Sequence, residues 1–115
     1  MSRHDDTVRL KDMLDHARTA LTLVEARTES EFRGDQMRTL ACVRLLEIVG
    51  EAAGRVSTDF RDAHPEIRWR GIVGLRNRLI HAYSEVDLGI VWNIIVEDLP
   101  PLIAELEKLT GGETA

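Results

Sequence analysis

The stretch Gln36-Met37-Arg38-Thr39-Leu40-Ala41-Cys42-Val43-Arg44-Leu45-Leu46-Glu47-Ile48-Val49-Gly50-Glu51-Ala52-Ala53-Gly54-Arg55-Val56-Ser57 decides the fold. Gly34-Asp35 before it is a break followed by a helix N-cap. Wound as a helix, its apolar residues cover most of the circumference and leave a narrow polar stripe of Arg44, Glu47, Glu51 and Arg55. A helix apolar on so many sides has to be buried from several directions, so other helices must surround it. The polar stripe reads as an ion-paired structural face rather than a set of catalytic acids.

On the N-terminal side, Leu10, Met13, Leu14, Ala17, Leu21 and Val24 recur at steps of three and four between about Asp6 and Arg27, which predicts one amphipathic helix. On the C-terminal side, Ser57 to Pro65 reads as a loop, with a helical turn opened by Pro65. Trp69 to about Ala82 predicts a third helix, weakened by Gly71 and Gly74, which are read as points of close helix approach. Asp87 caps a last helix whose stripe runs Leu88, Val91, Trp92, Ile95, Leu99, Leu102, Leu106 and Leu109; Pro100-Pro101 should bend or restart it. No strand alternation and no Asn-Gly or Asp-Gly turn interrupts the pattern. The expected architecture is all-α, an up-and-down bundle of about four main helices. It forms one domain over residues 1–110, followed by a flexible tail at 111–115, and completes its core against a second copy.

The composition suits this reading: 115 residues, 43% hydrophobic and 30% charged, with no apolar run long enough for a bilayer. Met1 to Asp6 lacks the apolar region of a signal peptide, so the cytoplasm is the expected compartment. The single cysteine, Cys42, excludes an intrachain disulfide and reads as a small buried hydrophobe. A net charge of −5 argues against a surface that is basic overall. Within it, however, Arg68, Arg70, Arg76 and Arg78 fall in a segment ending at His81 that holds no acid. On charge alone, a solvated helix face and a phosphate-facing patch fit that segment equally well.

No Walker-type loop and no His-Glu-x-x-His pair is present, and His4, His16 and His64 are scattered without ligand-like partners; no metal and no cofactor is expected. What remains is Arg76, Asn77, Arg78, His81 and Tyr83, five hydrogen-bonding side chains at one helix end. Asn77 and His81 share a face, whereas Arg76 and His81 stand about 140° apart and about 7.5 Å along the axis. They meet only across a shared groove, through unwinding near His81, or when a dimer brings two sets together. These residue types suit metal-free RNA cleavage. Histidine exchanges a proton with the ribose 2′-hydroxyl near neutral pH, and arginine clamps the phosphate oxygens as charge accumulates. Asn77 would orient either group. Spacing alone does not separate this role from capping and surface roles, and Tyr83 by itself reads as a packing residue.

The run Trp69-Arg70-Gly71-Ile72-Val73-Gly74-Leu75-Arg76-Asn77-Arg78-Leu79-Ile80-His81-Ala82-Tyr83 resembles the motif of arginine, four residues, histidine, one residue, tyrosine found in the HepT-like toxins of the HEPN superfamily of helical ribonucleases. Val86 to Trp92, Glu97 to Pro100 and Leu46 to Ala53 are similar to that family's last and second helices. Arg68 stands where relatives often have proline, which implies a looser start to the motif helix. The resemblance implies a homodimer with both motifs in one cleft, in which Arg76 and His81 are catalytic and Asn77 supports them. It further implies a type VII toxin-antitoxin pairing with a small MntA-like nucleotidyltransferase antitoxin that adenylylates Tyr83 and silences the nuclease. A second reading of the same chain is a non-catalytic helical module that engages and regulates such a transferase.

Overall fold

In the computed structural model, the backbone of residues 3–84 and 87–111 and the side chains of residues 4–80 and 87–111 are described, and every regular element among them is helical. In order these are α1 (Arg3–Val24), α2 (Glu29–Arg33), α3 (Gln36–Gly54), α4 (Thr58–Ala63), α5 (Trp69–Val73), α6 (Leu75–Ser84), α7 (Leu88–Asn93), a π-helical turn (Ile94–Asp98) and α8 (Leu99–Leu109). No helix among the described residues is long and apolar enough to cross a membrane.

The bundle is built on α1 and α3, which pair antiparallel. Met13, Leu14, Ala17 and Ala20 bury against Cys42, Leu46, Val49 and Ala53. Polar ties hold both ends of the pair. At one end the Arg38 guanidinium donates to the Leu23 carbonyl at 3.0 Å. At the other, the buried Asp6 carboxylate accepts the Ser57 N–H at 2.8 Å and its hydroxyl at 2.7 Å. Ser57 Oγ also accepts the Phe60 N–H at 3.2 Å, so the residue that anchors α1 is the cap of α4. On the opposite flank α8 packs along α1, with Arg18 and Glu107 paired at 2.6 Å.

The expected amphipathic and all-apolar helices are present, and the local geometry refines several details. Helix α3 does touch α1, α2, α5, α6 and α7, yet Met37 is 84% and Leu40 47% exposed, so one of its apolar faces lies uncovered in the single chain. Asp35 caps α3 by accepting the Arg38 N–H at 3.0 Å, whereas Asp87 occupies the cap position of α7 without a side-chain bond. Helix α2 is an addition to the expected set. Its capping box joins Thr28 and Glu31 reciprocally, and it delivers Phe32 into the core, 5.6 Å from the Trp92 ring. The segment after Ser57 is helix α4, which ends before Pro65 rather than beginning there.

The third helix is broken at Gly74 into α5 and α6. Close helix approach comes instead from Gly50 on α3: an added Cβ there would stand 3.0 Å from the Ile72 carbonyl. At Gly71 it would meet nothing within 4 Å. The last helix changes pitch one turn before its prolines, where the Leu99 N–H reaches back five residues to the Ile94 carbonyl. A proline ring presses on the carbonyl four residues earlier, and the wider turn opens that space for Pro100 and Pro101, which then sit in the first turn of α8. Two residues with positive φ end helices: Ala26 (φ 59°) after α1 and Gly111 (φ 76°) after α8. The remainder of the expected tail lies outside the described residues.

Candidate functional site

The basic segment is carried by α5 and α6, and its position is set by apolar anchors. Trp69, 8% exposed, donates its indole N–H to the His64 carbonyl at 2.9 Å and packs edge-on to Phe60, whose other neighbour is the His64 ring at 4.3 Å. This fixes the start of α5 although Arg68 makes no side-chain cap. Leu75 and Leu79, four apart on α6, point into the core. The faces between them are thereby turned outward, and Arg76, Asn77, Arg78 and Ile80 are all exposed.

Helix α6 runs without unwinding to Ser84. Positions 76 and 81 therefore diverge by about 140° on one continuous helix, and positions 76 and 83 lie on the same side, about 10.5 Å apart along the axis. The side chains of His81 and Tyr83 lie outside the described residues. Asn77 stands one turn before position 81 on the same face.

Charge is distributed unevenly over the four arginines. Arg78 reaches across to Asp98 on the π turn at 3.8 Å, with both side chains about half exposed. Arg68 and Arg78 line a groove shared with Glu66, Glu97, Asp98 and Glu105. Arg76, about 200° from Arg78 around the helix, lies outside that groove's lining, and among the described residues neither it nor Arg70 has an ion-pair partner. Two cations of the segment thus face carboxylates and two remain available to an outside anion. Asp98 and Glu97 were not legible as neighbours of the motif, because they arrive from 20 residues downstream through tertiary packing alone.

The other expected roles fall into place locally. Arg44 bridges Glu47 at 3.7 Å and Glu51 at 3.3 Å, the ion-paired face anticipated for α3, without Arg55. His16 Nδ1 lies 2.7 Å from the Asp12 carbonyl, and His64 Nδ1 lies 3.1 Å from Glu66, so each is engaged locally. Cys42 is fully enclosed, and burial pushes its thiol up to about 11.

Comparison with known proteins bears on this same region. Residues 13–109, which include all of α5 and α6, match the family described as Ribonuclease HepT-like. Over 103 residues the chain is 40% identical to a Thermococcus cleftensis protein named "Probable ribonuclease HepT", covering 86% of this chain and 94% of the relative. Over 107 residues it is 37% identical to "Putative RNase MJ1380" of Methanocaldococcus jannaschii, covering 93% and 98%. A Caldanaerobacter subterraneus protein named "Putative RNase TTE0752" is 32% identical over 104 residues, covering 90% and 93%. No solved structure matches the chain.

Proposed function

Since the chain belongs to the HepT-like ribonuclease family, we propose that it is a metal-independent endoribonuclease toxin of the type VII class, acting as a homodimer in the cytoplasm through Arg76 and His81. The observation that carries this reading is the exposed Arg76, without an ion-pair partner among the described residues, on a motif helix held in place by Leu75 and Leu79. In the proposed reaction the His81 imidazole takes the proton of a ribose 2′-hydroxyl. The freed oxygen attacks the adjacent phosphorus, the bond to the 5′-oxygen breaks, and that oxygen leaves with a proton. Arg76 donates to the non-bridging oxygens while charge builds on them, and Asn77 orients the imidazole or the phosphate.

The dimer follows from the divergence of positions 76 and 81 on an unbroken helix. One α6 does not aim both side chains at a single phosphate, whereas two helices facing one cleft do. The uncovered apolar residues Met37 and Leu40 on α3 supply further surface for a second copy. The functional unit is the single domain over residues 1–110.

Tyr83 is the proposed site of adenylylation by a nucleotidyltransferase antitoxin. Position 83 shares the side of α6 that carries Arg76, so an adenylyl group there sets a bulky anion where the RNA phosphate has to lie. Purified chain incubated with RNA in chelator should cleave it, and Arg76→Ala and His81→Ala should not. Equal cleavage by wild type and His81→Ala removes the catalytic assignment, and an inert wild type leaves the binding-module reading. Intact mass after co-expression with the transferase should rise by adenylyl increments, and Tyr83→Phe should abolish the rise.

A further inference from the structure

The motif arm carries a second recognition surface on the side away from Arg76. Between it and α8 runs a groove of about 570 Å³. Its floor is apolar, formed by Ile72, Leu75, Leu99 and Leu102. Its rim is acidic: Glu66, Glu97, Asp98 and Glu105 outnumber Arg68 and Arg78 two to one. Arg78 is already directed at Asp98, Glu66 and Glu105 meet only His64 and Lys108, and Glu97 has no ion-pair partner among the described residues.

Gly71 in the groove wall is independent of these charges. A glycine inside a helix costs about 1 kcal/mol relative to alanine, and elsewhere in the bundle Gly50 is explained by a close intrachain contact. At Gly71 an added Cβ would meet nothing within 4 Å. Nothing described in this chain requires glycine there, while a backbone lying in the groove does.

We propose that this groove docks a basic, apolar polypeptide segment of a protein partner. Acidic rims repel the phosphates of RNA and attract lysine or arginine, and the apolar floor takes the intervening side chains. The wall from Ile94 to Glu105 is about 16 Å long at helical rise, the reach of about five extended residues. A second copy of this chain does not fit the same role, since two copies meeting groove to groove set carboxylates against carboxylates. The docking site stands whether or not the chain cleaves RNA.

The test uses the full chain and a fluorescein-labelled hexapeptide alternating leucine and arginine, with leucine-glutamate and serine-arginine counterparts, read by anisotropy. Saturable binding of the leucine-arginine peptide alone is expected. Gly71→Leu, which fills the groove with a good helix former, and Glu97→Lys, an exposed charge reversal, should each weaken it by about tenfold or more, and Arg76→Ala should leave it unchanged. Absence of saturable binding overturns the proposal. So does binding indifferent to both variants, displacement of the peptide by a single-stranded oligoribonucleotide, or loss of self-association in Glu97→Lys, which would assign the groove to RNA or to a second copy.

Discussion

Replacing Gly50 by alanine sets two effects of opposite sign against each other at the junction of α3 with α5. Alanine gains about 1 kcal/mol of helix propensity over glycine in a helix interior. Against it, the new Cβ would stand 3.0 Å from the Ile72 carbonyl oxygen and 3.5 Å from Leu75 Cβ. The first of these is backbone and has no rotamer to escape into, so α5 must move away from α3 by a few tenths of an ångström. Forced core contacts of this kind cost about 1–3 kcal/mol, which leaves a net loss of about 0–2 kcal/mol. Gly71→Ala supplies the internal control. It makes the same chemical change in a helix that meets nothing, and should stabilise the fold by up to about 1 kcal/mol. Urea unfolding followed by far-UV circular dichroism would read both, as shifts in midpoint at constant slope. A Gly50→Ala protein as stable as Gly71→Ala would refute the claim that Gly50 is there for the α3–α5 contact.

Other expectations concern single positions. Ala26 holds a left-handed backbone at the end of α1. Ala26→Gly should therefore raise stability by about 0.5–1 kcal/mol, and a thermal midpoint that falls would contradict this. Cys42, with its thiol at about 11 against an ordinary 9.0, should react with a disulfide reagent at pH 8 about 100-fold more slowly in the native than in the unfolded chain. The unfolded thiol ionises first, so Cys42 contributes a loss of stability as pH rises above its unfolded value. Hydrogen bonds from Arg38 hold the Asp35 carboxyl below its usual range, and those from Thr28 do the same for Glu31. Both stabilise the fold above their unfolded values and lose that effect as acid protonates them. Asp35→Ala should thus lower the urea midpoint at pH 7 and converge with wild type in strong acid.

Helical class and the core faces of α1, α3 and α8 were legible because burial imposes a period that the residues must obey. Leu10 to Val24 and Leu99 to Leu109 carry it openly. What escaped depends on three-dimensional closure. Gly71 and Gly74 both suggested close approach, yet only the packed bundle reveals that Gly50 meets a neighbouring backbone. The signal for α2 was present, since Thr28 and Glu31 have capping-box spacing, but a five-residue helix with one buried residue leaves no periodicity to notice. At the candidate site, Arg76, Asn77, His81 and Tyr83 could be singled out by residue type and by family resemblance. The partition of charge, with Arg78 turned to Asp98 and Arg76 left to solvent, required the fold.

The π turn at Ile94–Asp98 makes the length of this segment as consequential as its hydrophobicity. A wide turn amounts to one residue more than an α-helix of the same span would need. Removing any one residue from it would restore regular winding and rotate everything downstream by about 100° around the axis. Leu99, Leu102 and Leu106 would then swing off the core, and Arg18 would lose Glu107. Most surface helices tolerate a conservative substitution better than a deletion. Here the asymmetry is at its strongest, because the reading frame of the last helix is held by a single surplus residue.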